Sequence, residues 1–403
     1  MRDDTRTDDT RTAANITRVC KTWHLEGANL VWRNIMLRDL LNHIDVPARV
    51  VGFARHVERI HFLPADGVLA DPRIASLDFP KLQTIEINRN NLPKATKQAC
   101  IDSLKALITP TLRSWILKEN IFADVYVQAI DGDIWLRLLW ERCDQLTIFE
   151  IRSNLNFDAQ LLWNFLRDTV HLEGLVLAQS ITEWLTDDHM VLILGKPNLR
   201  SLNIHPIYEV TPATMDRLFH ILGHSWMMPK LRNLQLTFDL GAGRTAARLL
   251  AVVPNIETVT ICLVDGVQGV WNDALDLQVF TALGMSKSLT EIALYPRIGW
   301  RLDGVNLLEL IRLEHLESLA IVMQWDEPDV RPVPVVTVTG EQWTAFLTGL
   351  PKLDSLRLDM GAFHVLATHE EMVTIDKALA RIQRVDLTGI TLVCSETIES
   401  GSS

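Results

Sequence analysis

The chain has 403 residues, of which 48% are hydrophobic, and a formal net charge of −11. Such a composition fills a large core, and no apolar run reaches the roughly 18–20 residues that span a bilayer. The acidic balance, without clustered Lys or Arg, argues against nucleic acid as the main partner. Five scattered cysteines favour reduced thiols. The sequence therefore predicts a cytoplasmic or nuclear protein with no membrane and no nucleic-acid partner.

The first structured segment follows a polar stretch at residues 1–12, in which DDTRT occurs twice. This stretch predicts a disordered tail, and it lacks the apolar centre of a signal peptide. Apolar residues then recur at helical spacings at Ile16, Val19, Cys20 and Trp23. We therefore expect a short amphipathic helical segment within residues 13–45.

One pattern recurs along the rest of the chain: an apolar residue, two variable residues, a second apolar residue, one variable residue and a third apolar residue. The mean interval is about 30 residues. The end of each copy alternates between apolar and variable residues, which predicts a short strand with one buried face. The twelve copies begin their apolar pattern at residues 57, 82, 112, 146, 172, 199, 231, 256, 289, 316, 353 and 382.

Helical patterns lie between the predicted strands. Residues 211–226 place Thr211 at an N-cap and Pro212 at the first helical position. Residues 131–143 and 339–350 show the same helical spacing. A strand, a crossover helix and a parallel strand form a unit that cannot bury its apolar face alone, so successive units must stack.

These repeats resemble leucine-rich repeats. The segment LQTIEINRNNL continues that family's pattern with Asn90 and Leu92, and Asn120 and Asn154 occupy the same position in the next two repeats. The resemblance implies an α/β leucine-rich repeat solenoid, with a curved parallel sheet and outer helices. We expect about twelve irregular repeats over residues 46–394, followed by a flexible tail at 395–403.

A Pro-rich stretch, DEPDVRPVPVV at 326–336, lies in the longest interval between repeats. Proline lacks a backbone donor, so this stretch is unsuited to the interior of a strand or helix. We predict a surface loop at one rim, which is either a plain connection or a binding loop.

The N-terminal string Val19-Cys20-Lys21-x-Trp23, with Trp32-Arg33 downstream, resembles the second half of an F-box. In that family the module docks on the Skp-type adaptor of cullin-based ubiquitin ligases. The resemblance implies that Val19, Cys20 and Trp23 contact the adaptor. The family's apolar first helix, with its Leu-Pro pair, is replaced here by the polar residues 1–14.

A helix at this position can also cap the exposed end of a repeat array. Capping and docking are compatible, so the sequence leaves both open. In either case we expect Trp32 to pack against the first repeat around Val57 and Ile60.

The sequence offers no pattern that predicts catalysis or a cofactor. It contains no G-x-S-x-G, no H-E-x-x-H, no C-x-x-C and no complete phosphate-binding loop. His364 and His369 lie near Glu371, but Thr368 and Glu371 have the spacing of a capping box at a helix start. We therefore expect a protein that is not an enzyme and holds neither a metal nor a cofactor.

Function must then come from the variable residues that strand alternation places on the open face of the sheet. The interpretation favoured by both resemblances is a substrate-recognition adaptor of an SCF-type ubiquitin ligase. The alternative is a ligase-independent scaffold or inhibitor that binds proteins. The candidate residues for contact with an unknown protein substrate are Glu86, Asn88, Lys118, Glu150, Arg152, Asn203, His205, Gln235, Tyr295, Arg357 and Asp359.

Overall fold

The computed structural model describes most of the repeat region. The described residues are 27, 30–42, 47–62, 71–88, 97–118, 130–131, 133–152, 155–156, 158–177, 185–204, 209–223, 228–239, 243–264, 273–296, 302–322 and 336–394. The chain forms two compact units, Met1–Trp184 and Leu185–Ser403.

The first unit contains a parallel sheet whose strands follow the chain in the order β1-β2-β3-β4-β6-β8. The short strands β5 and β7 pair with each other, also in parallel. The strands are β1 Asn34–Met36, β2 Arg59–Phe62, β3 Thr84–Asn88, β4 Ser114–Lys118, β5 Ile130–Asp131, β6 Ile148–Ile151, β7 Leu155–Asn156 and β8 Gly174–Leu177. The helices are α1 Leu37–Asn42, α2 Pro47–Ala54, α3 Lys97–Leu107, α4 Asp133–Arg142 and α5 Ala159–Asp168, with a 3-10 turn at Ile74–Ser76.

The second unit repeats this plan with longer strands. Its order is β9-β11-β12-β13-β14-β16-β15, with β10 beside β11 and β17 beside β16. The strands are β9 Ser201–Ile204, β10 Glu209–Val210, β11 Asn233–Asp239, β12 Thr258–Val264, β13 Glu291–Pro296, β14 Ser318–Val322, β15 Val336–Thr339, β16 Ser355–Ala367 and β17 Arg384–Cys394. The helices are α6 Asp187–Leu194, α7 Pro212–Leu222, α8 Gly243–Ala251, α9 Asp273–Met285, α10 Gly304–Glu309, α11 Gly340–Gly349 and α12 His369–Ala380, with a 3-10 turn at Leu310–Arg312.

Strand alternation builds the core of each unit. In β6 and β9 every second residue is buried, and all of these buried residues are apolar, whereas the residues between them are half-exposed. Helix side chains pack over this buried row, as the contact between the Phe149 and Phe165 rings shows, with centroids 4.7 Å apart. Burial of the apolar rows drives the stacking of the repeats, because each fully buried aliphatic or aromatic side chain contributes roughly 1.5–3 kcal/mol.

Local capping fixes where several helices begin. The Thr211 side chain accepts a hydrogen bond from the Thr214 amide at the start of α7, and Pro212 follows at the first helical position. Thr339 and Thr368 cap α11 and α12, each completing a capping box with Gln342 and Glu371. These contacts satisfy amides that a helix start leaves unpaired, and they confirm the predicted starts at Thr211 and Thr368.

The predicted α/β repeat fold is confirmed. The twelve repeat patterns correspond to β2, β3, β4, β6, β8, β9, β11, β12, β13, β14, β16 and β17, and every pairing within each unit is parallel. The pattern did not predict β1, β10, β15 or the β5–β7 pair, which are short strands outside the repeat motif.

Several predictions fall on residues outside the described part of the chain. These are the tail at 1–12, the helix with Val19, Cys20 and Trp23, the asparagines at 90, 120 and 154, residues 326–335 of the Pro-rich stretch, and the tail at 395–403. The prediction of a loop is wrong for Val336, the last residue of the Pro-rich stretch, because it begins β15.

Part of the segment at 13–45, which was predicted to be helical, is a strand. Residues Asn34–Met36 form β1, which pairs in register with β2 and so extends the sheet of the first unit. Helix α1 follows directly and buries Leu37, Leu40 and Leu41. The predicted boundary between a separate N-terminal segment and the repeats stays a prediction.

Candidate functional site

The variable position at the centre of each strand forms a continuous row in the first unit, which we call the central row. His61 lies beside Glu86, Glu86 beside Ile116, and Ile116 beside Glu150 in the strand register. Val176 follows Glu150 on β8. Because parallel strands without register shifts keep equivalent residues on one face, this row is a single surface.

Charged side chains in the first unit pair with each other across this surface. Glu86 Oε2 lies 3.3 Å from His61 Nδ1, and Glu86 Oε1 lies 2.6 Å from Lys118 Nζ. Glu150 lies 3.1 Å from Arg152. The two carboxylates therefore alternate with Ile116 along the central row, and their basic partners Lys118 and Arg152 lie two residues further along β4 and just past β6.

The environment of Glu86 stabilises its ionised form. The hydrogen bond from His61, the hydrogen bond from Lys118 and the electrostatic interaction with both side chains lower the pKa of the Glu86 carboxyl to about 2, although partial burial opposes the shift. Glu86 therefore remains a carboxylate throughout the physiological pH range, with both oxygens engaged.

The same row in the second unit is neutral over five successive strands. Asn203 Nδ2 donates to Gln235 Oε1 at 2.7 Å. Gln235 is followed in register by Thr260, Ala293 and Ala320. Small and uncharged side chains leave the backbone of β12, β13 and β14 close to the surface.

Charge returns at the far end of the second unit. Arg357 is in register with Asp386, and Arg357 Nε lies 3.3 Å from Asp386 Oδ2. Asp359 and Tyr295 lie two residues beyond the central row on β16 and β13, and both are half-exposed. Asp359 and Tyr295 therefore lie along one edge of the neutral part of the central row, which runs from Asn203 to Ala320.

Most of the predicted contact residues lie on these two surfaces. Glu86, Lys118, Glu150 and Arg152 come together in the first unit, as do Asn203 and Gln235 in the second. Asn88 ends β3, but its side chain lies outside the described part, as does the whole of His205. Whether these residues contact a partner stays a prediction.

Three residues that we had left out of the predicted contact set belong to the same surface. His61 bonds Glu86, Ile116 separates Glu86 from Glu150, and Asp386 pairs with Arg357. The sequence pattern could have identified these three residues, because each occupies the same variable position of the repeat as predicted contact residues such as Glu86 and Glu150.

The buried thiols of Cys143 and Cys262 are poor nucleophiles. Burial raises the pKa of the Cys143 thiol to about 12 and that of the Cys262 thiol to about 11, so both remain protonated at neutral pH. No group of three or more His, Cys, Asp or Glu side chains in the described ranges could hold a metal ion. The chemistry available on the described surfaces is hydrogen bonding, ion pairing and apolar contact.

Near the N-terminus, the described part of the F-box-like string packs on the first helices. The ring of Trp32 stacks on Phe53 of α2 with centroids 4.4 Å apart and an interplanar angle of 15°. We had expected contact around Val57 and Ile60 on the first repeat strand; the ring contact found is with the preceding helix. Trp32 thus anchors the chain that leads into β1.

No helix in the described ranges has the length and apolarity to cross a bilayer.

No protein-family model matches this sequence, and no curated protein matches it. Among solved structures, the chain is similar to the leucine-rich repeat-containing protein LegL7 from Legionella pneumophila. The two are 12% identical, the match covers 85% of this chain and 95% of that one, and the TM-score is 0.35. The fold assignment rests on the strand register described above.

Proposed function

We propose that this chain is a non-catalytic protein-binding repeat protein that uses the open sheet face of each unit to hold a protein substrate. The observation that carries the proposal is the central row: variable residues remain in register from strand to strand while the apolar positions beneath them are buried. A surface whose residues vary without altering the core can be matched to a partner without changing the fold.

The two faces differ in the chemistry that they present to a partner. In the first unit, Ile116 lies between two carboxylates that are already paired with basic side chains. In the second, Thr260, Ala293 and Ala320 present little side-chain bulk. Both faces favour a partner that contributes apolar and hydrogen-bonding contacts, since most of the surface charge is neutralised internally.

We further propose that the chain acts as the substrate-recognition subunit of an SCF-type ubiquitin ligase. This step rests on the F-box-like string Val19-Cys20-Lys21-x-Trp23 and on its position directly before a repeat array. In this arrangement the N-terminal segment docks on the Skp-type adaptor, and the repeats hold the substrate.

Titration of the purified full chain against a purified Skp-type adaptor tests the ligase step. We expect saturable binding that Trp23→Ala and Val19→Glu weaken at least tenfold, while the control Val170→Glu, an exposed residue after α5, leaves binding unchanged. Absence of binding by the wild-type chain would remove the ligase step and favour the ligase-independent scaffold.

A further inference from the structure

The outermost strand of the second unit exposes an apolar row that the preceding strand buries. Val385 of β17 pairs in register with Leu356, and Leu392 pairs with Val365. Leu356 and Val365 are 1% and 0% exposed, whereas Val385 and Leu392 are 42% and 40% exposed. Within the described residues, β17 pairs with β16 alone. Both its apolar row and its outer backbone edge are therefore uncovered there.

The free edge of β17 has a defined hydrogen-bonding direction. The Arg384 amide donates to the Asp354 carbonyl at 3.0 Å, so Arg384 directs its backbone groups toward β16. Backbone direction alternates along a strand, so the amide and carbonyl of Val385 and of Leu387 point outward. Gly389, with φ of 78°, ends this regular segment where the β16–β17 register shifts. An edge strand with outward groups is a template for another strand.

The charges on β17 are opposite in sign and two residues apart. Arg384 and Asp386 are the only charged residues of the strand. Both lie on the sheet face opposite to Val385, because side chains alternate. Their partners within the chain are Asp354 at 3.7 Å and Arg357 at 3.3 Å. Exposed pairs of this kind contribute little free energy and exchange partners readily.

We propose that β17 is the contact strand of a symmetric dimer, in which a second copy of this chain pairs with it in antiparallel register across a two-fold axis at Val385. In this register the Val385 amide donates to the Val385 carbonyl of the second copy, and the reverse bond forms by symmetry. Arg384 lies directly opposite Asp386 of the second copy, and the reverse pair forms by symmetry. The apolar Val385 side chains meet on the other face of the sheet.

Charge complementarity identifies a second copy as the occupant. The two-fold register at Val385 places Arg384 opposite Asp386 of the second copy, and Asp386 opposite its Arg384. The same register brings the outward backbone groups of Val385 together with those of the second copy. Val373 of α12, the helix that leads into β17, is a further exposed apolar residue of this end of the chain. Because the axis at Val385 lies one residue from the start of β17, the paired segment is short. The contact area is therefore small, and the dimer forms in a concentration-dependent manner.

Sedimentation velocity of the full chain at low ionic strength, over a range of concentrations, tests this inference. We expect the wild-type chain to dimerise and Val385→Lys to weaken dimerisation at least tenfold, since it places two lysines at the axis. The control Ile221→Lys alters a residue of α7 that is 53% exposed and should leave dimerisation unchanged.

A charge-exchange experiment tests the register itself. Arg384→Glu and Asp386→Lys each place like charges opposite each other in their own homodimer, so each variant alone should dimerise more weakly. A mixture of the two restores both opposite-charge pairs, and it should form a heterodimer at least as well as the wild-type chain forms its dimer. A wild-type chain that remains monomeric would overturn the proposal. It would also be overturned by a mixture that associates no better than its components, or by dimerisation that Val385→Lys leaves intact.

Discussion

The sheet face of each unit lies over a buried apolar layer of its own, and the two faces carry different surface chemistry. In the first unit, His61, Glu86 and Lys118 form a paired cluster, and Glu150 pairs with Arg152. In the second, a hydrogen bond between Asn203 and Gln235 leads into a row of small neutral residues. Beneath both, the apolar positions are almost fully buried. The comparison separates two kinds of position along each strand: the apolar positions specify the fold, and the residues of the central row can vary without changing it.

The largest expected effects come from the buried apolar layer beneath each face. Phe149→Ala in the first unit and Leu294→Ala in the second each remove a side chain that is no more than 1% exposed. We expect losses of about 3–5 and about 2–5 kcal/mol in the free energy of unfolding, because each change leaves a cavity. Chemical denaturation measures both. A loss below about 1 kcal/mol for either would break the claim that both faces rest on an equally packed layer.

A smaller effect is expected on the charged face, that is, the sheet face of the first unit that carries Glu86. Its contribution to the free energy of unfolding should decrease at acid pH. The pKa of Glu86 lies at about 2 in the folded chain against an ordinary value of 4.5. A carboxyl with a depressed folded pKa contributes stability that is complete above about 4.5 and is lost as the pH falls toward 2. We expect Glu86→Gln to lower stability at pH 7 by on the order of 1–3 kcal/mol and to reduce the loss on acidification.

The control for this prediction lies on the neutral face. Gln235→Ala removes no titratable group, so its stability should change with pH below 4.5 with the same slope as that of the wild-type chain. Unfolding free energies measured between pH 6 and pH 2 test both variants. Equal acid slopes for Glu86→Gln and the wild-type chain would show that the His61–Glu86–Lys118 cluster is not formed in solution.

In the neutral central row of the second unit, we expect stability to fall when the hydrogen bond between Asn203 and Gln235 is lost. Asn203 and Gln235 are partly buried and 2.7 Å apart. Removing either side chain should cost about 0.5–1.5 kcal/mol, and the double variant should cost less than the sum of the two, because a single shared bond is lost. A double-mutant cycle measures this coupling. Additive losses would mean that the two amides do not bond.

The smallest effect is expected from the exposed ion pair of the charged face. Glu150 and Arg152 lie 3.1 Å apart, with Arg152 well exposed. Arg152→Ala should lower stability by about 0.2–1 kcal/mol at low salt and by less at high salt, since counterions screen exposed charges. Thermal melts at two salt concentrations measure this difference. An effect that grows with salt would contradict the ion-pair interpretation.

Sequence alone predicts the repeat fold because the fold depends on periodicity. The apolar positions recur in all twelve copies, and residues such as Leu202, Leu234 and Ile292 are buried where the pattern places them. The helix starts at Thr211 and Thr368 were predictable for a similar reason, since capping depends on residues within one turn.

The remaining features depend on contacts between distant residues. Nothing near Asn34 indicates that residues 34–36 extend the sheet, because that pairing requires β2. Likewise, the bond between His61 and Glu86 joins residues 25 positions apart and becomes visible only when the repeats are aligned in space. The exposure of Val385 follows from its strand having no described neighbour on one side, which its local sequence does not record.

The central claim, that the open sheet faces hold a protein partner, is tested most directly by comparing what co-purifies with matched surface variants. Ile116→Arg and Ala293→Arg each place a bulky charge on one face. Val170→Arg and Ile221→Arg place the same charge at exposed apolar residues after α5 and in α7, respectively. Proteins that co-purify with each folded variant are measured by quantitative mass spectrometry. We expect one set of bound proteins that the wild-type chain and both control variants retain. At least one of the two face variants should bind this set at least tenfold less. Retention of that set by both face variants, or its loss from the controls alone, would contradict the account.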